Sequence, residues 1–160
     1  MFWVSGRDLG KEKYFYPDDQ EIMPSHIPEY LSKYVVIKAY VDANKSGNMG
    51  ISRPHYDIII FVNNATMICY SKLQNTVEAS SYGSEFVALR IATEMIEDMR
   101  YKLRCLGVLV NGLVEVFCDN KSVVKNSGIS SSVLNKRHNN ICYHSLRGSQ
   151  AEDVLHVEYI

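Results

Sequence analysis

Three acidic residues stand where a carboxylate is hard to keep solvated. Asp42 lies at the end of YVVIKAYVDA, a run of β-branched and aromatic residues followed by the turn cluster NKSGN. Asp119 lies at the end of a second such run, LVEVFCDN. Glu85 stands at the serine-rich start of the longest helical pattern, directly before the apolar residues that dock that helix. Taken singly, each has an ordinary role, the aspartates as turn caps and Glu85 as an acid at a helix N-terminus. Taken together they change meaning, because a strand, a long helix and a second strand form a crossover that lays the two strands side by side and parallel. Asp42 and Asp119 then meet at one end of the sheet, and Glu85 reaches the same point. Three carboxylates at one place repel and raise one another's pKa unless a cation neutralises them. Oxygen ligands suit Mg²⁺, with Mn²⁺ as an alternative, and such ions are commonly completed by substrate phosphate oxygens, so phosphodiester chemistry is the expectation.

The elements that must position these acids are legible in the periodicity. From Ser80 to Leu106, the residues Phe86, Leu89, Ala92, Ile96, Met99, Leu103 and Leu106 recur every three or four positions, while Arg90, Glu97, Asp98 and Lys102 fall elsewhere. That predicts one long helix packed on the sheet. YDIIIFVN and ATMICYSKL read as two strands joined at Asn63 and Asn64, residues that tolerate the positive φ of a tight hairpin. With the Asp42 strand they predict an antiparallel meander. The stretch SKLQNTVEASS then offers Lys72, amides and hydroxyls on a loop at the acid end of the sheet. VLHVEYI reads as a last strand.

The chain has 160 residues, 46% of them apolar and 22% charged, enough for one ordinary globular domain. Residues 1–34 are a lead-in with three prolines and no sustained period, and residues 35–160 form the domain. No run of about 18 apolar residues exists to span a bilayer, and no signal-peptide order opens the chain, so a soluble intracellular protein, cytoplasmic or nuclear, is expected. The four cysteines form no CxxC pair and read as buried thiols. From Asn120 to Ala151 there is no acid, but there are Lys121, Lys125, Lys136, Arg137 and Arg147 with His138 and His144. A basic flank beside an acidic site fits a polyanionic substrate.

Four ordered blocks, VDANKSGN, CYSKLQNTVEASSYGSEFVAL, VFCDNKSVV and NKRHNNICYHSLR, resemble the ribonuclease H domain of copia-type LTR retrotransposon polyproteins over about residues 37–160. The resemblance implies an α/β ribonuclease H-like fold: a five-stranded mixed sheet, its first three strands antiparallel and the rest parallel, with flanking helices. It implies hydrolysis of the RNA strand of an RNA/DNA hybrid with two Mg²⁺ ions, and a reverse transcriptase domain as partner in the parent polyprotein; no membrane and no small-molecule substrate is expected. By motif position the family's first three acids fall on Asp42, Glu85 and Asp119, with Asp42 bridging the ions. Lys72, Gln74, Ser80, Ser81 and Asn120 are the expected hybrid contacts.

One departure bears on activity. The family's fourth acid lies on a helix beyond the last strand, and no residue here matches it, since Glu152 and Asp153 precede that strand. The expectation is a C-terminally truncated domain that is a weak nuclease, or an inactive remnant that at most binds nucleic acid or protein. Another nuclease or an integrase on the same fold is the remaining reading, and the SKLQ to SEFVAL spacing favours ribonuclease H. Without a final helix, apolar sheet surface should be exposed, to be covered by association or by Phe2, Trp3, Phe15 and Tyr16 of the lead-in.

Overall fold

In a computed structural model, which describes residues 20–31, 33–44, 54–75, 81–128 and 137–160, the two acid-ended runs are neighbouring strands. In chain order the described elements are β1 (Tyr34–Val35), β2 (Ile37–Asn44), β3 (His55–Val62), β4 (Ala65–Leu73), α1 (Ser81–Cys105), β5 (Leu109–Val110), β6 (Val114–Cys118), α2 (Lys121–Ser127), α3 (Arg137–Ala151) and β7 (Leu155–Tyr159). The main sheet has the order β4-β3-β2-β6-β7. β2, β3 and β4 form the expected antiparallel meander, and β6 and β7 continue the sheet in parallel. This is the five-stranded mixed sheet anticipated from the sequence. β1 and β5 form a separate parallel pair.

Each feature has a local cause. The β3–β4 turn is the asparagine pair: Asn63 adopts φ 54°, as a two-residue hairpin requires, and its side-chain oxygen accepts a hydrogen bond from Val36 N–H at 3.0 Å. Along β2 the residues Ile37, Ala39, Val41 and Ala43 are buried against α1, while Lys38, Tyr40, Asp42 and Asn44 occupy the opposite face. On that second face Tyr40 stacks on Phe117 at 5.0 Å and meets Phe61 edge-on at 5.8 Å. Tyr40 and Ile59 nevertheless stay more than a third exposed. The four aromatics assigned to cover it lie outside the described residues.

Helix α1 carries Phe86, Leu89, Ala92 and Ile96 into the core as the periodicity predicts. Its last turns differ from expectation, because Arg100 and Arg104 are buried there and Leu106 is 68% exposed. The reason lies in the lead-in. Glu21 accepts hydrogen bonds from Arg100 at 2.7 and 3.0 Å and from Arg104 at 2.7 Å, so two buried guanidinium groups share one carboxylate. Burial pushes the Glu21 pKa up, but the hydrogen bonds and charges of the two arginines outweigh it and hold the carboxyl below its ordinary range. The helix then stops at Gly107, whose φ of 72° lets its N–H reach Arg104 O and Val108 N–H reach Leu103 O. Gly107 O in turn accepts from Leu31 N–H at 2.9 Å. The described part of the lead-in is thus fixed along the end of α1.

Removing one partner from a buried ion-pair group leaves uncompensated charge, so Glu21→Ala is expected to cost about 3 kcal/mol of stability. Urea unfolding checks this; a loss within about 0.5 kcal/mol, typical of an ordinary surface site, would contradict it.

Candidate active site

The acidic site is built by the parallel pairing of β2 and β6, whose register sets Val41 opposite Cys118 and so brings the following residues, Asp42 and Asp119, to the same sheet end. Glu85 enters from the helix side. Its first turn is pinned by Gln74, which donates through Nε2 to Ser84 O at 2.8 Å while its own N–H bonds Pro54 O. From there Glu85 Oε1 accepts a hydrogen bond from Ala43 N–H at 3.3 Å, and Oε2 lies 3.8 Å from the Cys118 thiol. The Glu85 side chain is buried, Asp42 is half-buried and Asp119 is exposed. Asp42 Oδ2 accepts from Asn44 Nδ2 at 2.9 Å.

The electrostatics follow from this placement. Burial first, then the charges of Asp119 and Asp42, push the Glu85 pKa up to about 7. Burial and the charges of Asp119 and Asp57 also raise Asp42, against the pull of the Ala43 N–H. Among the described residues no cation forms an ion pair with Asp42, Glu85 or Asp119. Ligand atoms of Glu85, Asp119 and Cys118 lie within 4.8 Å of one another. Burial raises the Cys118 thiol to about 12, so it stays protonated at neutral pH and leaves a carboxylate donor set. Such a set fits a hard divalent ion.

The other sequence candidates are distributed differently. Lys72 is exposed on β4 at the acid end of the sheet, two strands from Asp42. Gln74 is 1% exposed and braces α1 instead of facing solvent. Ser81 is exposed at the first turn of α1, whereas Ser80 lies outside the described residues. The side-chain oxygen of Asn120 caps α2 by accepting from Ser122 and Val123 N–H. Of the basic flank, Lys121 and Lys125 are exposed and Lys121 sits over the Tyr159 ring at 4.8 Å. Arg147 is 1% exposed, bonded to Tyr143 Oη and Ser127 O, so it is a core residue. Lys136 and the side chains of Arg137 and His138 lie outside the described residues.

One site residue escaped the sequence reading. Asp57 on β3 is paired directly with Asp42, and Asp42, Asp57 and Asp119 line one shallow cleft of about 230 Å³ with Tyr40, Val41, Ile59 and Ile160. Its only sequence signal was an acid interrupting the apolar run YDIIIF.

No protein-family profile matches the chain. Solved structures do. The ribonuclease H1 of Halobacterium salinarum NRC-1 superposes with a TM-score of 0.57 at 15% identity, covering 78% of this chain and 84% of that one. The fold is that of ribonuclease H. Ribonuclease H1 LC11, solved in complex with an RNA/DNA hybrid, gives 0.56 at 18% identity over 78% of this chain and 84% of its own. A prototype foamy virus protease-reverse transcriptase gives 0.56 at 16% identity, covering 87% of this chain and 19% of that longer one.

Folded Glu85 holds its proton up to about pH 7, while an unfolded glutamate releases it near pH ~4.3. The folded chain therefore binds the extra proton between these values, so in chelator its stability should fall as pH rises across that window, by at most about 3.5 kcal/mol. Glu21 acts with the opposite sign, its contribution being lost as pH falls below the ordinary carboxylate range. Denaturant midpoints measured across pH 4 to 8 check this, roughly the window set by the two pKa values. Glu85→Gln should flatten the profile, and an unchanged slope would contradict the assignment.

Proposed function

We propose that this chain is a nuclease domain of the ribonuclease H type that hydrolyses the RNA strand of RNA/DNA hybrids. The observation that carries the reading is the convergence of Asp42, Glu85 and Asp119 at one sheet end of a ribonuclease H fold, with no described cation to offset them. The hybrid bound by LC11 supports the substrate class. Mg²⁺, replaceable by Mn²⁺, is the proposed cofactor.

In this reading Asp42 and Asp119, the more accessible acids, would hold the ions from the cleft, and Glu85 would hold them from the helix side. When bound there, two divalent ions supply an activated water and a counter-charge for the departing 3′ oxygen. The Ala43 N–H fixes the Glu85 carboxylate, and Gln74 fixes the turn that carries it. Glu85 must lose its proton to serve as a ligand, which binds metal binding to pH. Lys72 and Ser81 are placed to meet the hybrid backbone, and exposed Lys121 and Lys125 add positive charge.

The four sequence blocks support origin in a copia-type retrotransposon polyprotein, and the likeness to part of a protease-reverse transcriptase fits a reverse transcriptase domain as partner. The proposed setting is intracellular, cytoplasmic or nuclear, where such hybrids form. A non-catalytic hybrid-binding remnant is the second reading, favoured by a Glu85 that is still partly protonated near neutrality.

Cleavage of a strand-labelled RNA/DNA hybrid in Mg²⁺ or Mn²⁺ separates the two. The nuclease reading expects metal-dependent cuts in the RNA strand, reduced at least about a hundredfold by Asp42→Asn, Glu85→Gln or Asp119→Asn. Hybrid binding by folded protein without any cleavage would select the remnant.

A further inference from the structure

We propose that Asp57 is a fourth carboxylate of the metal-binding site, facing the same ions as Asp42 from the neighbouring strand. The inference rests on the metal-dependent reading above and extends it to a residue that no motif assigns.

Asp57 is the direct antiparallel partner of Asp42. Directly opposed residues project from the same face of a sheet, with Cβ atoms about 4.5 to 5.5 Å apart. The burial pattern agrees, since Tyr56 and Ile58 are buried on the helix side while Asp57 is half-buried on the side of Asp42. Both acids line the shallow cleft that also receives Asp119. Like charges placed opposite one another destabilise a sheet. On its other flank Asp57 is paired with Ser71, and no described cation is ion-paired with it. A strand that needed only packing at this position would be better served by a β-branched or aromatic residue. A bound cation turns the repulsion between Asp42 and Asp57 into shared attraction, and a half-buried carboxylate can ligate it directly or through a retained water.

The test is Mn²⁺ binding by titration calorimetry on the whole chain, together with the thermal midpoint in chelator and in saturating Mn²⁺. Asp57→Asn is expected to weaken Mn²⁺ about tenfold or more. It should also raise the midpoint in chelator, by relieving the repulsion, and shrink the further rise that Mn²⁺ produces. Asp57→Glu, which keeps the charge, should restore most of the affinity, and Asp98→Asn on the far part of α1 should change nothing. Wild-type Mn²⁺ affinity in Asp57→Asn, with Asp42→Asn still losing it, would overturn the role of Asp57 alone. Wild-type affinity in Asp42→Asn would overturn the metal site itself. A gain in midpoint for Asp57→Asn that is equal with and without Mn²⁺ would make Asp57 a source of strain and not a ligand.

Discussion

Mutual repulsion among carboxylates is the constraint around which this fold is arranged. Burial of Glu85, and after it the charges of Asp119 and Asp42 at the same sheet end, raise its pKa to about 7, and nothing in the chemistry of a sheet favours that arrangement. It persists because the surrounding structure over-determines it. The parallel register of β2 and β6 leaves the two aspartates no other place, and Glu85 arrives on a helix whose apolar face must pack on the same strands. The free energy stored there would be available to a divalent cation, which is the physical link between the fold and the metal-dependent chemistry proposed for it.

That storage depends on holding α1 still, and the helix is held at both ends. Near its start, buried Gln74 ties Ser84 to the β4 end. Near its finish, Glu21 clamps Arg100 and Arg104, and Gly107 receives the N–H of Leu31. Rotation or sliding of α1 would break one of these contacts before Glu85 could withdraw from the aspartates. The described part of the lead-in supports the site in this way from the far end of α1. On the second face of the sheet, among the described residues, the ring contacts of Tyr40 with Phe61 and Phe117 join β2, β3 and β6 to one another.

How much of this the sequence disclosed follows the range over which each interaction acts. The asparagine hairpin, the core stripe of α1 and the strand-helix-strand crossover are set by neighbours in the chain, and each was legible; the acidic triad followed from the crossover. Asp57 was not, because its partnership with Asp42 depends on a strand register that a near-continuous apolar run does not define. The burial of Arg100 and Arg104 had no signal in the helix pattern, because it requires Glu21 from a distant segment. Arg147 and Gln74 misled for a related reason: a polar side chain that finds its hydrogen bonds inside the fold carries the same letter as one that meets a substrate.

The central claim is that these acids converge in order to hold divalent ions. The most direct measurement is anomalous scattering from crystals of the chain equilibrated with Mn²⁺. The account predicts Mn²⁺ peaks within ligand distance of Asp42, Glu85 and Asp119. Ordered, well-diffracting protein with no peak at that sheet end under saturating Mn²⁺, or with Mn²⁺ bound only elsewhere, would contradict it.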